Sequence, residues 1–134
     1  MEDAATQILV IGGMSVLAFG FLLGIPMAAA RNKASRAPRY LFAAHLAAII
    51  QGGLLLALTI AVGFSDLSGG AKTVASSLFV GGVVLFDVGL TVNWLQGVED
   101  AFKEKSVGNK ISTAGTPLIL LGTGILLYGV LVTV

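Results

Sequence analysis

The sequence predicts an all-α fold, an integral membrane four-helix transmembrane bundle, and three observations support this fold class. Hydrophobic residues make up 56% of the 134 residues and charged residues only 11%, whereas about a quarter of the residues in soluble domains are charged. Four apolar stretches each reach the roughly 20 residues that a helix needs to cross a bilayer. These stretches are continuous rather than alternating, which favours helices over a β-barrel.

The four spans are predicted at residues 7–30, 40–64, 73–95 and 111–134, within a single domain of residues 1–134. The first span is uncharged and follows the acidic start Met1-Glu2-Asp3. A cleaved signal peptide would begin with a basic region, so we expect this span to be retained.

The other spans and the segment before the last one complete the predicted helices. The second span is uncharged apart from His45, and the third contains one carboxylate, Asp87. The polar segment 97–109 separates the third span from the fourth, and it predicts a short helix at the membrane interface.

Basic residues indicate the orientation of the chain. Seven of the eight Lys and Arg lie in the first and third loops: Arg31, Lys33, Arg36, Arg39, Lys103, Lys105 and Lys110. The positive-inside rule therefore predicts that these loops are cytoplasmic and that both termini are non-cytoplasmic. We expect a bacterial inner membrane protein with the lipid bilayer as its surroundings. The net charge of +1 gives no basic field for nucleic acid.

Glycine is abundant within the predicted spans. The chain has 18 glycines, and Gly20 and Gly24 form a GxxxG pattern in the first span. Helices in lipid associate through close packing of small residues rather than through hydrophobicity. The sequence therefore predicts tight helix pairs and a homo-oligomer.

The few polar side chains inside the spans are candidate functional residues, because polar groups in lipid usually face the bundle interior. The helical rise predicts two layers: His45 with Asn93 and Trp94 near the cytoplasmic face, and Gln51 with Asp87 near mid-membrane. Gly52 follows His45 by seven residues and so lies on nearly the same helix face. A flat group could lie over Gly52 while His45 binds it.

This residue set is compatible with a cofactor that needs only one protein ligand, and haem is the main candidate. The chain has one histidine and no cysteine, which excludes multi-histidine and thiolate metal sites within one chain. Haem needs only one axial imidazole, and its other face stays open for chemistry.

Three segments of the sequence are similar to the styrene oxide isomerase family of small four-helix membrane enzymes. The first runs from Ala43-Ala44-His45 to Gln51-Gly52, and the others are Gly63-Phe64-Ser65-Asp66 and Leu85-Phe86-Asp87. The resemblance covers residues 39–96. It implies a homotrimer that binds haem b between subunits, with His45 as the axial ligand of the iron.

The resemblance also implies a reaction, in which ferric haem acts as a Lewis acid and a hydrophobic epoxide rearranges to a carbonyl compound. Gln51 stands where the family has an asparagine that holds the substrate. A family tyrosine at the substrate aligns with Leu95, or with Trp94 if the register slips by one, and neither supplies a phenolic hydroxyl.

The sequence thus predicts a haem b-binding membrane isomerase for hydrophobic epoxides. Its expected cofactor-binding residues are His45, Gly52 and Arg39, the last beside the haem propionates. The expected catalytic residues are Gln51, Asp87, Asn93, Trp94 and Leu95.

Several alternatives stay open. The chain could bind haem for electron transfer or sensing, or it could be a haem-free structural or transport subunit. His45 could be an interfacial residue bonded to a carbonyl group. Asp87 could be protonated and form a structural pair with Gln51 or a threonine, or it could belong to a proton pathway.

Overall fold

The computed structural model describes residues 3–134 and consists of five helices joined by short loops. The helices are α1 (Ala4–Lys33), α2 (Arg39–Phe64), α3 (Gly69–Leu95), α4 (Ala101–Glu104) and α5 (Val107–Thr133). No strand occurs in the described part of the chain. All but α4 are long and apolar enough to cross a membrane. The predicted fold class is therefore confirmed, and the chain is an integral membrane protein.

Serine side chains cap the first turns of α3 and α5. The Ser68 hydroxyl accepts a hydrogen bond from the Ala71 amide at 3.3 Å, and the Ser106 hydroxyl accepts one from the Asn109 amide at 3.1 Å. Such side chains satisfy amides that have no partner within the helix. Because these caps precede the apolar runs, α3 and α5 each begin four residues before the predicted spans, which start at 73 and 111. Met1 and Glu2 lie outside the described residues.

The bundle is built from two closely packed helix pairs, α1 with α2 and α3 with α5, and α3 also contacts α1 and α2. Glycines permit the close approach within each pair. A Cβ atom added to Gly52 would lie 3.0 Å from the Gly13 carbonyl oxygen, and one added to Gly82 would lie 2.7 Å from the Gly115 carbonyl oxygen. Any larger residue at either position would therefore meet backbone atoms of the neighbouring helix.

The core is apolar, and so is much of the outer surface. Leu9, Leu55, Val62, Phe79 and Val83 belong to the main buried cluster. Large apolar side chains are also exposed on every long helix, and Phe21, Ile60, Val84 and Leu120 are examples. A water-facing surface does not carry so much contiguous apolar area, but a lipid-facing one does.

Candidate functional site

His45 faces α1 from the first half of α2, and its ring is half-buried. Its Nδ1 atom lies 2.7 Å from the backbone carbonyl oxygen of Gly20. A carbonyl group can only accept, so Nδ1 carries the proton and donates the hydrogen bond. In the neutral ring Nε2 is then the unprotonated nitrogen, and this is the form of imidazole that binds a metal ion. His45 is thus bonded to a carbonyl and still keeps a free coordinating nitrogen.

The surroundings of His45 on α1 are small. A Cβ atom added to Gly24 would meet no neighbour closer than His45 Cε1 at 3.5 Å, which is ordinary van der Waals contact. The GxxxG pattern of Gly20 and Gly24 therefore packs against α2 within the same chain and leaves room beside the imidazole.

A basin containing three arginines lies at the loop end of α1 and α2. Its volume is about 410 Å³, and it is lined by Met27, Arg31, Ala34, Ser35, Arg36, Ala37, Arg39 and Phe42. Met27 lies three residues beyond Gly24 on α1, and Phe42 lies three residues before His45 on α2, so one helical turn separates the basin from the histidine. The basin combines apolar walls with three guanidinium groups and has no acidic lining residue.

Gly52 does not present an open face. It is buried, and a Cβ atom added to it would lie 2.7 Å from Leu17 Cγ and 2.8 Å from the Leu17 amide nitrogen. Helix α1 therefore covers the surface on which the sequence placed a flat group, and close helix packing accounts for this glycine.

Asn93 has a structural partner. Its side chain is buried, and its Oδ1 atom accepts a hydrogen bond of 2.7 Å from the Ser106 hydroxyl. Ser106 caps α5, so this bond ties the end of α3 to the start of α5. His45, its predicted layer partner, instead bonds to α1.

Gln51 and Asp87 do not form the predicted pair. Gln51 Oε1 and both carboxyl oxygens of Asp87 are buried without a hydrogen-bond partner. The Thr91 hydroxyl donates to the Asp87 backbone carbonyl at 2.8 Å, which leaves the Asp87 side chain unpaired.

Asp87 lines a lateral cavity between α1 and α3, which we call the α1–α3 groove. Its volume is about 380 Å³, and its lining residues are Gly12, Ser15, Val16, Phe19, Val80, Val84, Asp87 and Val88. The Asp87 residue is only 3% exposed, whereas Val84 and Val88 are exposed on the lipid-facing surface. The groove thus connects the surface of the bundle with a buried carboxyl group that has no partner.

Trp94 and Leu95 occupy different environments at the end of α3. Trp94 is half-buried and packs against a buried cluster of Leu23, Leu41 and Ala44. Leu95 is the last residue of α3 and is exposed. Neither residue lines the α1–α3 groove or the arginine basin.

Sequence reasoning missed two residues that hold the loop before α5. The Tyr40 hydroxyl accepts a hydrogen bond of 2.9 Å from the Ala101 amide, which fixes α4 to the start of α2. Ser106 caps α5 and also binds Asn93. A serine just before a helical stretch is a known start signal and could have identified Ser106, but no local pattern indicates the contact between Tyr40 and Ala101.

Comparisons with protein-family models, curated proteins and solved structures give no match. Within residues 3–134, no group of three or more His, Asp or Glu side chains is placed to hold a metal ion.

Proposed function

We propose that the protein binds haem b through His45 and isomerises a hydrophobic epoxide to a carbonyl compound. The observation that carries the proposal is the hydrogen bond from His45 Nδ1 to the Gly20 carbonyl, because it leaves Nε2 free to bind iron. This bond also fixes the tautomer and the orientation of the ring.

The arginine basin supports the same cofactor. A haem has an apolar ring and two carboxylates, and the basin one turn from His45 has Met27 and Phe42 beside Arg31, Arg36 and Arg39. Arg39, with Arg31 and Arg36, would hold the propionates through charge-assisted hydrogen bonds. Gly52 is left out of the proposed site, because α1 covers it.

Ferric haem, when bound, supplies a Lewis acid that withdraws electrons from an epoxide oxygen and so favours ring opening and a hydride shift to the carbonyl product. The protein's part is to hold the iron through His45, to exclude water and to admit an apolar substrate from the lipid. Rearrangement of an epoxide adds and removes no atoms, so it needs no hydrolytic residues.

The assembly and orientation belong to the proposal as well. We propose a homotrimer in a bacterial inner membrane with both termini non-cytoplasmic, following the resemblance and the positive-inside rule. Exposed apolar side chains on α1, such as Phe21 and Ile25, offer surface for lipid or for a second copy.

The proposal is tested by assaying haem-loaded protein with a panel of aryl and alkyl epoxides and detecting aldehydes or ketones by gas chromatography. We expect turnover that requires both haem and His45, with His45→Asn as the matched variant. Haem-loaded protein that produces no carbonyl compound from any epoxide would refute the isomerase activity while leaving haem binding intact.

A second candidate is a haem protein without catalytic activity, and one observation favours it. Of the residues predicted at the site, Asn93 is bonded to Ser106, and Trp94 packs against Leu23, Leu41 and Ala44 without lining the arginine basin. Electron transfer or gas sensing would need only the iron and its ligand. Reversible reduction with no epoxide turnover would support this candidate.

A further inference from the structure

The α1–α3 groove is a second site, separate from His45. Asp87 faces the side of α3 that packs near Gly12, Ser15 and Phe19 of α1, whereas His45 bonds to α1 from α2. Both Asp87 carboxyl oxygens are buried without a hydrogen-bond partner, although the groove beside them holds about 380 Å³. Isolated acidic groups inside a membrane are costly and are normally paired.

The lining of the groove restricts the ligand. Apart from Asp87, the one polar side chain in the lining is Ser15, and the remaining lining residues are apolar or glycine. The volume falls within the range of small-molecule sites. A ligand that fits the groove must therefore have a hydrogen-bond donor that reaches Asp87 and an apolar part that contacts the other lining residues.

We infer that the α1–α3 groove binds a lipophilic primary amine, whose ammonium group meets the Asp87 carboxylate while its hydrocarbon chain lies against Val84, Val88 and Phe19. An ammonium group has three donors and a positive charge, so it can satisfy both carboxyl oxygens and balance the charge. The amine enters laterally from the lipid, because Val84 and Val88 are exposed on the outer surface.

A hydrophobic carbodiimide tests the inference, because such reagents add to carboxyl groups that are reachable from lipid. The purified protein is treated with dicyclohexylcarbodiimide, and the adduct is located by peptide mass spectrometry. We expect one adduct, on Asp87, and none on Asp87→Asn. Because a primary amine can also attack the activated carboxyl group and form an amide, the loss of unmodified Asp87 is followed, with carbodiimide adduct and dodecylamide both counted as reacted. Dodecylamine should slow this loss by about tenfold or more, and dodecanol of equal chain length should slow it much less.

Two valines of α3 provide matched variants for the groove. Val84 lines it, and Val74 is also exposed but is not part of the lining. Val84→Trp should block the labelling of Asp87, and Val74→Trp should change neither the labelling nor its slowing by the amine.

Three results would overturn the inference. One is the absence of labelling at Asp87 in the wild-type protein. This result would count against the inference even if a second copy or lipid covered the groove. The others are equal protection by amine and alcohol, and equal effects of the two tryptophan variants. His45→Asn should leave the labelling of Asp87 unchanged. The amine site can therefore be tested even if the protein does not bind haem.

Discussion

His45 Nδ1 donates a 2.7 Å hydrogen bond to the backbone carbonyl of Gly20. The bond joins α2 to α1 at a position where a Cβ atom on residue 20 would lie 2.9 Å from Ile49 Cγ1 and 3.1 Å from Ala48 Cβ. The glycine therefore allows the helix approach that brings its carbonyl to the imidazole. The close packing of α1 and α2 therefore also determines the tautomer of His45. It brings the Gly20 carbonyl to Nδ1, which donates its proton to the bond, and Nε2 stays free.

We predict that His45→Asn preserves the fold, because the asparagine side-chain nitrogen takes nearly the place of Nδ1 and can donate to Gly20. His45→Leu loses this bond and should lower the free energy of unfolding by about 1 kcal/mol. The free energy of unfolding of each variant is measured in mixed detergent micelles without added haem. Equal stability of the two variants would contradict a hydrogen bond that stabilises the helix pair.

Replacement of the neighbouring glycines Gly81 and Gly82 by alanine should have very different effects on stability. A Cβ atom on Gly82 would lie 2.6 Å from Ile119 Cγ1 and 2.7 Å from the Gly115 carbonyl oxygen, whereas one on Gly81 would meet nothing within 4 Å. Gly82→Ala should therefore cost about 1–3 kcal/mol of stability through overpacking. Gly81→Ala should be neutral or slightly stabilising. Similar losses in both variants would contradict the packing of α3 against α5.

Asn93 and Ser106 should act as one unit. Asn93→Ala and Ser106→Ala each remove the buried hydrogen bond between them, and each should cost about 1–3 kcal/mol. The double variant should lose less than the sum of the two single losses, because both remove the same interaction. Additive losses would show that the residues act independently and would contradict the structural role of the bond between Asn93 and Ser106.

The orientation can be tested with single cysteines, since the native chain has none. Ser35 and Ser68 are exposed in successive loops. With both termini non-cytoplasmic, a membrane-impermeant maleimide should label Ser68→Cys in intact cells and Ser35→Cys only after lysis. The reverse pattern would invert the proposed topology.

Sequence reasoning predicted the helices well because the determining signal is local. Each apolar run is long enough to span a bilayer, and in lipid a helix is the conformation that pairs the backbone within each run. The short helix between the third and fourth spans was also expected, and α4 (Ala101–Glu104) lies in that segment. The ends shifted where polar caps such as Ser68 and Ser106 extend a helix beyond its apolar residues.

The side-chain partners were less predictable, because depth along a helix does not fix the direction a side chain faces. Gln51 and Asp87 were expected in one layer, yet no hydrogen bond joins them and Asp87 lines the groove beside α1. Gly52 shares a stripe with His45, but the sequence could not show that Leu17 of α1 packs over it. Such contacts depend on how the helices pair, which hydropathy does not encode.

Haem binding through His45 is tested most directly by the visible absorption spectrum of the purified protein during titration with haemin. Wild type is compared with His45→Asn, which keeps a donor to Gly20 but lacks Nε2. If His45 ligates the haem iron, the wild type should show a Soret band that saturates at a fixed haem-to-protein ratio, and the variant should lack this band. The same band in both proteins would contradict iron ligation by His45, and no band in the wild type would contradict haem binding altogether.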